Sequence, residues 1–347
     1  MSGTYFDWLT KNTISNWTND SALEQQLDAA LAQGAVGGTC NPPLSYEALT
    51  TEPQFYADDL AAIDRSLSDD EFAFEAMGLV VRRIANKLLP MHKELGSYKG
   101  CIRAQVAPNI SFDAQKMMEA GLRIASWGEN VMVKIPGTKA GMWVLEELAA
   151  RGIPSNPTVV TSVAQMIAAA QAYERGCARA KAAGIEPSFC TSALVMGRLQ
   201  DYLVNLNNER GNPVSLSDLQ WACAAVVKRT GKIFAERGYN TTIMAAAFRC
   251  AMQVEQISGA PFCSTIHPKI QEEVHAADAK GLMRRELCID EEVDDEIIKR
   301  VGEAFPEFLQ AYEPDGMTED EFDTFGAVLM TLDGFDVTGW QKLITLK

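Results

Sequence analysis

Asn130-Val-Met-Val-Lys-Ile-Pro136 is the stretch that decides the fold. Its Val, Met and Ile residues make an apolar strand pattern, and such a strand in the wall of a barrel carries the Lys134 amine into the interior. Burial disfavours the ammonium form, so a desolvated lysine is more often neutral near physiological pH and can attack a carbonyl carbon. Lys134 is therefore a candidate Schiff-base nucleophile. The competing reading is a strand-end lysine whose stem lies on apolar surface while its head reaches solvent.

Outward from this segment, short apolar runs alternate with helical stretches, the pattern of repeated strand-helix units around a parallel sheet. Eight runs occur, over residues 13–19, 35–41, 100–107, 130–136, 154–161, 188–194, 241–247 and 261–267. Eight units predict an α/β fold of the (β/α)8 TIM-barrel type. Helix signals separate them: Ser21 with Glu24 reads as a capping box, Gly34 as the stop of that helix, Ser162 with Gln165 as a second box, and Gly152 as the stop of the helix after Thr138. Residues 44–98 and 200–238 are longer than one helix needs and read as helical insertions, and about 270–347 as a helical C-terminal tail. With no internal repeat, low-complexity segment or Pro/Gly linker, the expectation is a single domain over residues 1–347.

Composition narrows the function. The 347 residues are 47% hydrophobic and 22% charged, with no apolar run long enough to span a bilayer, and the start of the chain lacks a secretory signal, so a cytoplasmic location is expected. A net charge of −15 argues against nucleic-acid or anionic-membrane partners. Eight scattered cysteines without a CxxC pair read as reduced, buried thiols rather than a zinc site or disulfide framework. Three histidines leave little room for a His-based triad or metal centre, and Gly37-Gly38 is too isolated for a phosphate loop, so neither a metal nor an organic cofactor is expected. The chemistry must rest on lysine, carboxylates, amides and hydroxyls.

In such barrels the active site lies at the C-terminal ends of the strands. Those ends are polar here: Asn19-Asp20, Thr39-Cys40-Asn41, Gln105, Lys134, Asn156 with Thr158, Ser192, and Arg249. The expectation is that they converge on one pocket.

Five segments in barrel order, Gly37-Gly-Thr-Cys-Asn-Pro-Pro43, Val131-Met-Val-Lys-Ile-Pro136, Ser155-Asn-Pro-Thr-Val-Val-Thr-Ser-Val-Ala-Gln165, residues 192–198 and Ala247-Phe-Arg249, resemble the transaldolase family of Schiff-base aldolases. The resemblance runs from about Thr13 to Val274. It implies transfer of a dihydroxyacetone unit between sugar phosphates in carbohydrate metabolism, with Lys134 forming the imine and Asp20 moving the proton of the C4 hydroxyl. It further implies that Thr39, Asn41 and Asn156 bind the substrate, that Thr158 holds a catalytic water, that Ser192 contacts hydroxyl or phosphate oxygens, and that Arg198 and Arg249 clamp the phosphate. Ordinary structural roles compete: helix capping for Asp20, turn formation for Asn41, a plain strand position for Thr158, surface ion pairs for the arginines, and a structural role for His267.

The chain departs from the family pattern at Gln105, where a glutamate is typical. Glutamine cannot exchange a proton with water as a carboxylate can. It resembles the fructose 6-phosphate aldolase branch, which leaves free aldol cleavage, or a sugar-phosphate binder with reduced catalysis, as alternatives. That branch typically has a tyrosine on the sixth strand, and the stretch Thr191-Ser-Ala-Leu-Val has none. The tail's apolar positions leave room for a homo-oligomer.

Overall fold

The computed structural model describes residues 3–211 and 214–347. Each of the eight apolar runs coincides with one strand, β6 ending one residue past its run: β1 (Asn16–Asn19), β2 (Gly37–Thr39), β3 (Cys101–Gln105), β4 (Val131–Pro136), β5 (Ser155–Thr158), β6 (Thr191–Val195), β7 (Thr242–Ala246) and β8 (Cys263–Ile266). Six form one parallel sheet in the order β5-β4-β3-β2-β1-β8, so the first strand pairs with the last, and β6 and β7 form a second parallel pair. Bridges at Ser155–Cys190 and Val160–Leu194, with Val195 N–H donating to the Val160 carbonyl at 2.8 Å, link the end of the larger sheet to β6. The architecture is thus α/β, with curled parallel sheet and a helix following each strand.

Side chains alternate across the strands and define two faces. Ile102, Ala104, Val131, Val133 and Ile135 pack outward with helix residues such as Met77, Ile84, Val144 and Leu148. On the far side, Leu194, Ile243, Ala245 and Ile266 join the aromatic and aliphatic residues of the later helices. Inside, a small apolar plug of Ala193, Met244 and Cys263 fills the space between β6, β7 and β8.

Two runs end earlier than hydrophobicity suggests. After β5 the backbone of Val159 turns to φ 56°, and after β7 that of Ala247 to φ 60°. Both leave the β region, which ends the strand, and a β-branched valine there is strained.

The helix signals are met unevenly. Ser162 caps its helix by accepting from Gln165 N–H at 3.1 Å, while Gly34 (φ 91°) and Gly152 (φ 68°) take the left-handed turn that stops a helix. The Ser21–Glu24 box does not form. The helix Glu24–Ala32 starts two residues later than a Ser21 cap requires, and the Glu52 carboxylate, brought in by the fold, accepts from Glu24 N–H at 3.0 Å. The span 44–98 carries a 27-residue helix, Asp69–Leu95, and 200–238 carries Leu216–Arg237.

The C-terminal segment crosses the face where the strands end. Asp323 accepts from the Lys139 N–H at 2.8 Å at the start of the helix following β4. Gly326 lies against the Tyr202 ring on the helix following β6, and a Cβ at Gly339 would lie 2.2 Å from Pro43 at the start of the helix following β2. A π-turn, Asp336–Trp340, seats Trp340 so that its indole N–H donates to Asp70 at 2.7 Å. Helices after strands begin at the strands' C-terminal ends, so a segment touching two such starts and the helix that follows β6 spans that end of the sheet.

Candidate active site

β3, β4 and β5 are in register, Gln105 beside Lys134 and Lys134 beside Asn156. Because neighbours in a parallel sheet point the same way, Gln105, Lys134, Asn156 and Thr158 share the inner face, opposite Val131, Val133 and Ile135. Lys134 is only 6% exposed. Burial lowers its pKa, nearby Asp20 opposes the shift, and the positive charges of Arg103 and Arg198 reinforce it. The lysine does not snorkel.

Around it lie polar atoms without partners. Gln105, Asn156 and Thr158 are fully buried, yet both amide atoms of Gln105, the Asn156 Oδ1 and the Thr158 hydroxyl make no hydrogen bond. Each such atom costs about 1–3 kcal/mol, which a bound polar ligand can recover. The Asn156 amide nitrogen donates to the Thr191 hydroxyl at 2.8 Å and to the Thr191 carbonyl, which orients the free Oδ1.

Asp20 directly follows β1. Its N–H donates to the Ile266 carbonyl at 3.1 Å, and its Oδ1 accepts from the Thr39 hydroxyl at 2.5 Å. The Thr39 hydroxyl also meets that of Thr265 at 2.8 Å. Asp20 caps no helix, since Leu23 holds the N-cap position of the helix that follows. Asn41 does cap one: its Oδ1 accepts from Leu44 N–H at 3.0 Å at the start of Pro42–Thr51, so a ligand would meet its amide nitrogen.

Ser192 is not brought to this face. β6 starts at Thr191, so Ser192 is its second residue rather than its last, and alternation turns it away from the face where Thr191 meets Asn156. Its hydroxyl lies 2.9 Å from that of Thr241, which precedes β7. His267 caps the helix Pro268–Ala279, accepting from Lys269 N–H at 3.2 Å, which is the structural role.

The two arginines come together at the ends of β6 and β7. Arg198 lies in the first turn of the helix Met196–Arg210, and Arg249 follows the Ala247 turn. A Cβ at Gly197 would stand 1.7 Å from the Ala247 carbonyl oxygen, so only glycine lets that helix start approach the end of β7. Arg249 donates from Nε at 2.8 Å and Nη2 at 2.5 Å to Asp201, while Arg198 lies 3.8 Å from the same carboxylate. Arg198 also packs on the Phe335 ring of the C-terminal segment at 5.4 Å. Sequence reading missed Asp201 and Phe335. The i, i+3 spacing from Arg198 could have flagged the first, but no local signal points to Phe335.

A separate cavity of about 1170 Å³, lined by residues including Lys228, Lys232, Phe262 and Glu291, shares no residue with this cluster. Its Lys228 is satisfied by the carbonyls of Cys288 and Glu291 at 2.5 and 2.8 Å. Among the described residues no group of three or more His, Cys, Asp and Glu could hold a metal ion, and no helix is long and apolar enough to cross a membrane.

A buried lysine among unpartnered amides on a curled parallel sheet defines the class, and comparison with known proteins agrees with it: residues 17–323 match the Transaldolase/Fructose-6-phosphate aldolase family, to which the chain belongs. It is 31% identical to the transaldolase of Thiobacillus denitrificans over 67% of this chain and 68% of that protein. To the transaldolase of Neisseria gonorrhoeae it is 33% identical over 49% of each chain, and to transaldolase 1 of Streptomyces avermitilis 29% over 51% of this chain and 49% of that one. The chain thus spans about half the length of the latter two relatives. It is a transaldolase-like enzyme.

Proposed function

We propose that the protein transfers a dihydroxyacetone unit from a ketose phosphate, such as sedoheptulose 7-phosphate or fructose 6-phosphate, to an aldose phosphate through an imine on Lys134. The observation that carries this reading is the depressed, desolvated Lys134 amine beside the unpartnered Gln105 and Asn156. The neutral amine adds to the ketose C2 carbonyl and water leaves. The C3–C4 bond then breaks with its electrons drawn into the cationic imine, while Asp20 takes the C4 hydroxyl proton and the aldose departs. The enamine attacks the acceptor aldehyde, whose oxygen receives the proton back from Asp20. Water on Thr158 hydrolyses the imine and frees Lys134.

In this reading Thr39 orients Asp20, Asn41 and Asn156 bind hydroxyls and the enamine, and Arg198 and Arg249 receive the phosphate. Gln105 holds water without taking its proton. The two sheets are arcs of one closed (β/α)8 barrel, residues 1–347 form one domain, and the substrates are those of soluble, cytoplasmic sugar-phosphate metabolism.

The test is borohydride reduction with fructose 6-phosphate, with and without erythrose 4-phosphate, followed by peptide mass spectrometry. A dihydroxyacetone-sized adduct on Lys134 that falls when acceptor is added supports transfer. An adduct indifferent to acceptor supports plain aldol cleavage, and no adduct refutes the imine.

A further inference from the structure

Below Lys134 lies a second buried cation that the reaction just described does not use. Arg103 is 0% exposed and sits on β3 two residues before Gln105, on the same inner face, beside Met132 in register. Its Nη1 donates to the carbonyls of Cys101 at 3.2 Å and Gly38 at 3.5 Å, and its Nη2 to the Tyr98 carbonyl at 3.4 Å. Nη2 also lies 3.9 Å from the Cys263 thiol, and Nε has no partner. Among the described residues no carboxylate pairs with it. The guanidinium therefore points toward the strands' N-terminal ends, held by main-chain dipoles, with its full positive charge retained inside the sheet. Gly37 makes room for it, since a Cβ there would lie 3.2 Å from Nη1.

A buried charge is costly, and proteins normally neutralise one with a partner. Here, among the described residues, the only titratable side chain within hydrogen-bond reach is the Cys263 thiol, which is no carboxylate, and Lys134 stands one layer above on the same inner face. We propose that Arg103 is a positioning residue whose uncompensated charge, fixed beneath Lys134, keeps that lysine neutral and nucleophilic at physiological pH. The proposal rests on the reading of Lys134 as the nucleophile. An arginine suits the task because its guanidinium stays protonated where a second lysine could lose its proton. The groups facing Lys134 are few: Asp20 and Cys40 favour its protonated form, while Arg103 and Arg198 oppose it. With glutamine rather than glutamate at position 105, β3 contributes no negative charge beside the amine. Arg103 and Gln105 thus act in the same direction, toward a neutral Lys134.

The charge lies roughly 7–10 Å from the amine by strand geometry, and at an intermediate effective dielectric this corresponds to a shift on the order of one pH unit. Competitive labelling of the full-length protein with acetic anhydride across pH, read at Lys134 by peptide mass spectrometry, measures that titration without requiring turnover. In Arg103→Met the midpoint for Lys134 moves up by about one pH unit. The acidic limb of kcat/KM moves with it, so activity falls severalfold at neutral pH and recovers at alkaline pH. Arg103→Lys gives a midpoint between those of the wild type and Arg103→Met, because a buried lysine holds its proton less firmly than arginine. Cys263→Asp, which leaves Arg103 in place but gives it a carboxylate, moves the midpoint up as Arg103→Met does, and near-UV circular dichroism verifies the fold of each variant.

Coincident Lys134 profiles in wild type and a folded Arg103→Met or Cys263→Asp variant overturn the proposal. So does an equal loss of activity at every pH, which marks Arg103 as structural only. The reading of Lys134 itself fails separately, through absence of the borohydride adduct in the wild-type protein.

Discussion

Arg249 holds the Asp201 carboxylate with two donors, at 2.8 and 2.5 Å, while Arg198 stands 3.8 Å from the same group. One negative charge therefore serves two guanidiniums, and in the proposed mechanism Arg198 is the one left to receive a phosphate. A charge-assisted hydrogen bond contributes about 1.5–3 kcal/mol, so Arg198→Gln should raise KM for fructose 6-phosphate roughly 10- to 100-fold. Arg249→Gln should do so less, and both should leave the reaction with free dihydroxyacetone nearly unchanged. Steady-state kinetics on the two substrates tests this. Equal losses on both substrates would reject a phosphate clamp.

Phe335 packs on Arg198 at 5.4 Å and comes from a segment more than 130 residues away along the chain. Phe335→Leu keeps most of the apolar bulk but removes the ring face, which is worth about 0.5–2 kcal/mol to a neighbouring guanidinium. KM for phosphorylated substrates should rise a few-fold, with kcat little changed. A changed kcat at constant KM would mean that the segment acts on the chemical step rather than on binding.

Lys134→Met should abolish the borohydride adduct and lower turnover by at least a thousandfold, while stability in denaturant stays equal or rises by up to about 2 kcal/mol. The pH dependence has a definite sign. The folded-state pKa of Lys134 lies below its unfolded value of about 10.4, so the unfolded chain binds more protons between those two values. Wild-type stability therefore carries the full burial penalty below the folded pKa and regains it as pH rises toward the unfolded one. That contribution should vanish from the difference curve when the lysine is replaced. Urea unfolding of both proteins across this window checks it.

Asp20→Asn keeps the acceptor for the Thr39 hydroxyl but removes the proton carrier. Imine formation should persist, since Lys134 is untouched, and C–C cleavage should slow by roughly 100- to 10,000-fold. The adduct trapped by borohydride would then be the intact ketose phosphate instead of the three-carbon fragment. Turnover at the wild-type rate would leave Asp20 with a structural role only.

Gln105→Glu places a carboxylate beside Lys134 in register. The negative charge favours the ammonium form, so the acidic limb of the pH profile should shift upward. At alkaline pH the C2 carbonyl oxygen of the ketose should exchange with ¹⁸O-water, through formation and hydrolysis of the imine, faster than in the wild type. No change in either quantity would show that residue 105 does not reach the imine.

Much of this was legible locally. Seven of the eight strands lie inside the apolar runs and β6 ends one residue past its own, because burial of β-branched and aliphatic residues is written into composition over a few positions. Lys134 could be chosen from sequence because its strand is apolar and a polar residue there is conspicuous, and Gln105 and Asn156 because they stand near the ends of their runs in segments that resemble the family. Ser192 could not be placed correctly. A shift of one residue in where β6 begins turns a side chain from one face to the other, and hydrophobicity does not fix that parity. The Ser21–Glu24 box was lost to a long-range competitor, the Glu52 carboxylate.

By itself, then, the sequence determined the strand-helix alternation, the buried lysine and the arginines that follow β6 and β7, since each follows from the chemistry of neighbouring residues. Only the tertiary structure decided that Asp201 is shared between Arg198 and Arg249, that Phe335 covers Arg198, and that Arg103 lies unpaired beneath Lys134. These depend on which strands become neighbours and on where the C-terminal segment crosses them. Such contacts are set by the packing of the whole chain rather than by any window of it.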